Sequence, residues 1–112
     1  GNYTEASASC MFVYALAKGI RKGYLAPEYL DAARRGYAGI IEHLIEIDET
    51  GKVNLTKICA VAGLGGEQQR DGSYEYYISE PVVTNERKGV GAFLLASVEM
   101  ERLGQSTAYG EP

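Results

Sequence analysis

Ala8-Ser9-Cys10-Met11-Phe12-Val13-Tyr14-Ala15-Leu16-Ala17 is apolar nearly all the way round a helical projection. A helix of that kind is expected to lie buried on most of its faces. Working outward, the helix is predicted from Glu5 to about Lys22, with Thr4 as a candidate N-cap and Gly23 as its stop. Lys18, Arg21 and Lys22 fall in its last turn, where positive charge complements the helix dipole. A second helix is expected from Pro27 to Leu44 or Ile45, because proline suits a first helical turn. Its apolar positions Leu30, Ala33, Tyr37, Ile40, Ile41 and Leu44 form a single stripe, with Asp31, Arg34, Arg35, Glu42 and His43 largely opposite. A helix apolar all round, a short connection and then a one-stripe helix is the pattern of an antiparallel inner and outer pair. Gly89 to Leu103, again apolar on most faces, reads as a second inner helix, ended by Gly104 and followed by a polar tail from Gln105 to Pro112.

Between the helices, Ile45-Glu46-Ile47-Asp48 and Lys52-Val53-Asn54-Leu55 alternate apolar and polar across Glu49-Thr50-Gly51, which predicts a short β-hairpin. Thr56 to Lys88 is expected to be mostly loop, with Tyr74 to Ile78 extended. A loop of that length in a small domain points to function. It holds Ala62-Gly63-Leu64-Gly65-Gly66 and then Arg70-Asp71-Gly72-Ser73-Tyr74-Glu75-Tyr76-Tyr77. Glycines allow close backbone approach to a ligand, and tyrosines offer flat faces with a polar tip. Packing of the same tyrosines on helix ends is the competing reading.

The chain has 112 residues, 46% of them hydrophobic, and a net charge of −4 without a basic run, which argues against nucleic acid as a partner. No apolar run approaches the roughly 20 residues of a spanning helix, so no membrane segment is expected. Gly1-Asn2-Tyr3-Thr4-Glu5 lacks the basic start of a secretory signal. Cys10 and Cys59 read as small buried hydrophobes rather than a disulfide, and His43, the single histidine, as solvated. Without metal-ligand spacing, neither a metal nor another cofactor is expected. No histidine stands where it could activate a serine or cysteine nucleophile.

Several separated stretches resemble glycoside hydrolase family 105, the unsaturated rhamnogalacturonyl and glucuronyl hydrolases, which are similar to family 88. They are Tyr3 to Arg21, Cys59 to Gly66, Arg70 to Tyr77, Glu80-Pro81 and Lys88-Gly89-Val90-Gly91-Ala92-Phe93-Leu94-Leu95-Ala96, in the family's order. Ala6 departs from it, since the family usually has threonine after the glutamate. The resemblance implies a mainly α fold, part of an (α/α)6 barrel of alternating inner and outer helices, of which this chain corresponds to the C-terminal part. It also implies an activity: release of a 4,5-unsaturated uronic acid from pectin-type oligosaccharides. An aspartate protonates the enol-ether double bond, water adds at C5, and the resulting hemiketal opens so that the glycosidic bond breaks. That aspartate belongs to the family's N-terminal half, so no residue here is assigned as catalytic. The implied partner is an oligosaccharide ending in unsaturated uronate, in the bacterial cytoplasm or periplasm. The rival reading is a small non-catalytic helical binding module derived from the same fold.

The candidate substrate-binding residues are Ser7, Ser9, Gly65, Gly66, Arg70, Tyr74, Tyr76 and Tyr77. Ser7 and Ser9 lie near a helix N-terminus, where backbone N–H groups favour anions, although packing of small serines explains them as well. Arg70 suits bidentate pairing with a uronate carboxylate, against the alternative of a surface salt bridge. Asp71, Glu75 and Glu80 could form a glycosidase carboxylate pair, or Asp71-Gly72 could simply turn the chain while Glu75 is solvated. As an isolated chain, the all-round apolar helices are expected to drive formation of a homodimer.

Overall fold

Glu5, not Thr4, opens the first helix: its carboxylate accepts the Ala8 N–H at 2.7 Å and begins α1 (Ala6–Arg21). The far end closes as the sequence predicts. Gly23 adopts φ +77° and donates to Ile20 O, while Tyr24 N–H reaches back to Gly19 O, the two bonds of a Schellman motif. The computed structural model describes residues 1–109, with side chains through Gln105. A 3₁₀ turn at Pro27–Tyr29 leads into α2 (Leu30–His43). The expected hairpin follows, with β1 (Ile45–Ile47) antiparallel to β2 (Val53–Leu55) and Ile45 opposite Leu55. Asp48 organises its turn by accepting from Thr50 N–H, Thr50 Oγ1 and Lys52 N–H, and Gly51 takes φ +84°.

Beyond the hairpin the structure departs from expectation. The 33-residue region read as loop is interrupted by β3 (Ile58–Cys59), α3 (Tyr74–Ser79) and β4 (Val82–Val83), with β3 and β4 paired antiparallel. Tyr74 to Ile78 is helical rather than extended. Ser73 Oγ caps it by accepting Tyr76 N–H at 3.1 Å, and Pro81 stops it by holding Glu80 extended at ψ 144°. The final helix, α4 (Arg87–Tyr109), starts earlier than Gly89 and runs through Gly104 into the supposed polar tail. Glycine within a helix costs only about 1 kcal/mol relative to alanine, so it need not end one. The last three residues of that tail, 110–112, lie outside the described residues.

α1 and α4 run in the same direction, side by side, with α2 returning antiparallel against α1. Their N-terminal ends meet at β3: Lys57 O accepts Ala6 N–H, and the Cα of Gly89 sits against Ile58. Arg21, the last residue of α1, and Glu99, about midway along α4, form a bidentate pair, with Nε–Oε2 at 2.7 Å and Nη2–Oε1 at 3.0 Å. That pair, with Arg102 nearby, holds the covered Glu99 carboxyl below its ordinary value. The core lies between these elements and consists of Ala6, Cys10, Val13, Ile40, Leu44, Leu55, Ile58, Ala92 and Ala96. Small residues on the facing stripes of α1 and α4 let the two backbones approach closely.

The prediction of all-round burial does not hold for this chain. α1 leaves Met11 56% and Phe12 71% exposed, and α4 leaves Leu94 59% exposed, while Tyr14 is half-buried. Each long helix buries one stripe only, because the three form a layer rather than a surrounded bundle. The radius of gyration, 16.2 Å, exceeds the roughly 13 Å of a compact domain of this length. Among the described residues, no helix is long and apolar enough to cross a membrane.

The contact between α4 and β3 is testable. A Cβ on Gly89 would lie 2.7 Å from Ile58 Cδ1 and 2.9 Å from its Cγ1. Gly89→Ala is expected to destabilise the chain by about 1–3 kcal/mol in chemical denaturation, despite alanine's better helix propensity. In an Ile58→Ala background, where the obstacle is gone, the same substitution should stabilise. Additive effects of the two would show that the contact is not tight.

Candidate functional site

The glycine and tyrosine segment folds over the end of the layer where α1 and α4 begin. Gly65 and Arg70 pair through both backbone bonds, at 2.7 and 3.1 Å, and close a small loop in which Gly65 and Gly66 take φ of +65° and +78°. These positive values explain why glycine stands at both positions. Arg70 turns its side chain back onto this loop. Its Nε donates to Gly65 O at 3.0 Å, and its guanidinium lies where side chains on Gly63 and Gly66 would collide with it. No carboxylate among the described residues lies within 4.0 Å of its nitrogens, so the surface salt bridge weighed for Arg70 is not formed.

The three tyrosines of α3 do different things. Tyr76 is structural: its hydroxyl accepts Gly63 N–H at 3.2 Å and donates to Glu80 Oε1 at 2.5 Å, tying the glycine loop to the helix. Tyr77 stacks on Tyr3, with ring centroids 6.1 Å apart and planes 11° from parallel. Tyr74 is half exposed and presents a ring to solvent. Asp71-Gly72 makes the turn weighed for it. Asp71 accepts Ser73 N–H at 2.9 Å, a bond that holds its carboxyl below the ordinary value, and Gly72 has φ +73°. Glu75 is exposed.

Ser7 and Ser9 part company. Ser7 Oγ donates to the Glu5 carboxylate at 2.8–2.9 Å, on the side facing β3. Ser9 Oγ donates to Glu5 O and borders a cleft of about 560 Å³ between α1 and α2, lined by Phe12, Val13, Leu16, Gly36, Gly39 and Ile40. The predicted site residues therefore fall into one group around the loop and one outlier at this cleft. His43, also beside the cleft, is exposed as expected.

Glu5 is the residue that sequence reasoning missed. Its carboxylate accepts Ala8 N–H, Ser7 Oγ and, from 54 residues away, Cys59 N–H at 2.9 Å. Burial alone would raise its pKa, but the Ala8 and Cys59 amides and the Ser7 hydroxyl outweigh this and hold it below 4.5. Tyr3, two residues before it, was not among the predicted site residues. Its hydroxyl is buried without a hydrogen-bond partner, and burial, then Tyr77 and Cys59, push its pKa far above the ordinary tyrosine value. Burial and the charge of Glu5 raise the Cys10 thiol to about 11, so it is no nucleophile at neutral pH. Every carboxyl with a resolved shift among the described residues, Glu5, Asp48, Asp71, Glu86 and Glu99, is shifted downward. None of these is poised to donate a proton near neutral pH. Among the described residues, no three or more His, Cys, Asp or Glu side chains gather as metal ligands.

The depressed Glu5 value has a stability consequence of definite sign. Its contribution is fully present above the unfolded value of 4.5 and is lost as pH falls through the lower folded value. Glu5→Gln keeps the shape but turns an amide toward a backbone N–H, and should cost about 1.5–3 kcal/mol near neutral pH. It should also flatten the acid side of a plot of urea midpoint against pH. Parallel wild-type and variant curves below about pH 5 would refute the role given to this carboxylate.

Comparison with known proteins places this geometry. Residues 1–104 match the family model described as Glycosyl Hydrolase Family 88. The chain is 47% identical over 105 residues to Protein Atu3128 of Agrobacterium fabrum and to the 24.9 kDa protein in picA locus of Rhizobium radiobacter. In each case 88% of this chain and 45% of the relative are covered, so the chain spans less than half the length of either. The structure of a C. acetobutylicum ATCC 824 glycoside hydrolase from family 105 superposes with a TM-score of 0.88 at 56% identity, covering 90% of this chain and 28% of that one. With nearly its whole length matched and its helical layer reproduced in a solved glycoside hydrolase, the chain belongs to Glycosyl Hydrolase Family 88.

Proposed function

We propose that the chain is the C-terminal part of a family 105-type hydrolase that removes unsaturated uronic acid from pectin-type oligosaccharides by hydrating the C4=C5 double bond. The observation that carries this reading is the 56% identity to a family 105 glycoside hydrolase over 90% of this chain but only 28% of that one. In the reaction, a carboxylic acid delivers a proton to C4 and water supplies hydroxide to C5. The hemiketal so formed opens to the ketone and releases the leaving sugar. A proton donor for that step needs a carboxyl held protonated near neutral pH, and Glu5, Asp48, Asp71, Glu86 and Glu99 are all shifted the other way. In this reading, as the family resemblance implies, the acid lies in the rest of the longer protein, and these residues supply the rim of the sugar cleft. Tyr74 offers a ring for stacking, while Gly65, Gly66, Tyr76 and Tyr77 shape the wall and Ser7 holds the Glu5 carboxylate behind it.

The exposed side chains fit the same reading. Met11 and Phe12 on α1, and Leu94, Leu95 and Val98 on α4, are left for neighbouring helices of a larger helical array, and leaving such groups in water costs about 1.5–3 kcal/mol each relative to burial. Alone, the chain is proposed to close these faces against a second copy.

Purified alone, the chain should leave the ultraviolet absorbance of an unsaturated uronate disaccharide unchanged, whereas the longer protein that contains it should abolish that absorbance. Steady loss with the chain alone, removed by Asp71→Asn or Glu75→Gln, would place the acid in the loop and overturn the reading. Sedimentation at micromolar concentration should show a dimer, and Phe12→Ser with Leu94→Ser should shift it toward monomer. A stable monomeric wild type would favour an independent module.

A further inference from the structure

The flank of the helical layer that faces away from α2 is apolar toward the helix starts and basic further along. α2 meets α4 through Tyr37, which stacks on Phe93 and donates to Ser97 Oγ at 3.0 Å, and it borders α1 at Val13 and Leu16. Helical periodicity then puts Met11, Tyr14 and Lys18 on the opposite flank of α1, and Leu95, Val98 and Arg102 on that of α4. Met11, Leu95 and Val98 stand 56%, 55% and 46% exposed. Beyond them the Glu99 carboxylate lies almost out of water with three cations around it. Arg21 holds it through Nε and Nη2, and Arg102 Nη1 stands 3.6 Å from Oε1. The Lys18 ammonium acts on the same carboxylate while donating to the Tyr14 hydroxyl at 2.8 Å. Three positive charges thus meet one negative, in a chain whose net charge is −4. Among the described residues no other carboxylate comes within 4.0 Å of Lys18, Arg21 or Arg102, and Glu101, next along α4, is engaged by Gln105.

In water that surplus is solvated. Beneath a covering segment it is not, and a charge taken out of water is strongly unfavourable unless an opposite one comes with it. We infer that this flank receives a segment of the longer protein that is apolar over Met11, Leu95 and Val98 and brings carboxylates to Lys18 and Arg102. The inference rests on the reading of the chain as part of a longer protein, and it adds the chemistry of the partner that the exposed side chains require. Charge complementarity favours that occupant over a second copy. Two copies meeting through this flank would each present the same basic corner, with only the already paired Glu99 to offset it.

The test uses phenylglyoxal, which modifies accessible guanidinium groups, with Arg102 followed by mass spectrometry. Arg102 is 56% exposed and should react readily in the chain alone, but roughly ten-fold or more slowly in the longer protein. The charge requirement is read from urea midpoints. In the longer protein Arg102→Gln should lower the midpoint by about 1 M, Arg102→Lys should largely restore it, and Lys18→Gln should act in the same direction as Arg102→Gln. A longer protein that folds with Arg102→Lys and not with Arg102→Gln meets the same expectation. In the chain alone Arg102→Gln should leave the midpoint nearly unchanged, because Arg21 still holds Glu99. Equal labelling of Arg102 in the chain and the longer protein would overturn the inference without any variant. So would midpoints that fall alike in both. Protection that already appears in the chain alone as its concentration rises would give the flank to a second copy and overturn it too. The proposed reaction fails separately. Protection of Arg102 in a longer protein that does not consume the unsaturated disaccharide would sink the reaction alone, and turnover with Arg102 labelled at the rate of the isolated chain would sink this inference alone.

Discussion

The Glu5 carboxylate joins two parts of the chain that nothing else in the local sequence brings together. It caps α1 through Ala8 N–H and receives Cys59 N–H from β3. Once β3 is held there, Ile58 fills the space between the starts of α1 and α4, and β4 must pair alongside it. The loop from Ala60 to Pro81 is then pinned at both ends, with Ala60 N–H donating to Pro81 O. Lys88 reinforces the same corner, donating to Cys59 O and Ala60 O while Glu86 accepts from its ammonium and backbone N–H. Both parallel helices thus begin under a glutamate, where the partial positive charge of the helix start favours a carboxylate.

The layer is built for close approach between its two parallel helices and leaves apolar side chains exposed on its outer faces. Alanine and cysteine on the facing stripes bring the backbones together, and the Arg21–Glu99 pair clasps the end of α1 to the middle of α4 with its carboxylate almost out of water. A pair so covered is sensitive to loss of either partner, since the remaining charge would stay buried. Asn85 performs a related service at the sheet end. It adopts φ +60° and exchanges bonds with Leu55 through its own backbone N–H and side-chain oxygen, which fixes the entry into α4. Apolar side chains also point away from this core, and the chain spans less than half the length of the curated relatives it matches.

The loop shows how one residue type divides among roles. Tyr76 and Tyr77 spend their hydroxyl or ring on holding the loop to the helix starts, and only Tyr74 remains presented. Glycine does the opposite service for arginine. Where Tyr76 is fixed by what it bonds, Arg70 is fixed by what Gly63 and Gly66 leave out.

Local pattern was enough for α1 and α2, the β1–β2 hairpin and the Gly23 stop, because periodicity, turn chemistry and capping act over a few residues. The grouping of Gly65, Gly66, Arg70 and the tyrosines was legible for the same reason, since they are neighbours in the chain. β3 and β4 were not, for strands of two residues have no period to read, and their pairing depends on Glu5 reaching Cys59 across 54 residues. The tyrosine run looked extended because its residue type favours strands, yet one serine cap and one proline made it helical. All-round apolarity predicted burial on most faces of α1 and α4, whereas in this chain each buries one stripe and leaves Met11, Phe12 and Leu94 exposed. Ser9 was placed with Ser7 by proximity in sequence, and two residues along a helix turned it to another face. What the tertiary structure alone decided was which polar groups meet: Arg21 found Glu99, Glu5 found Cys59 N–H, and Arg70 found no carboxylate among the described residues. Those outcomes depend on distances between segments far apart in the chain, which no local spacing encodes.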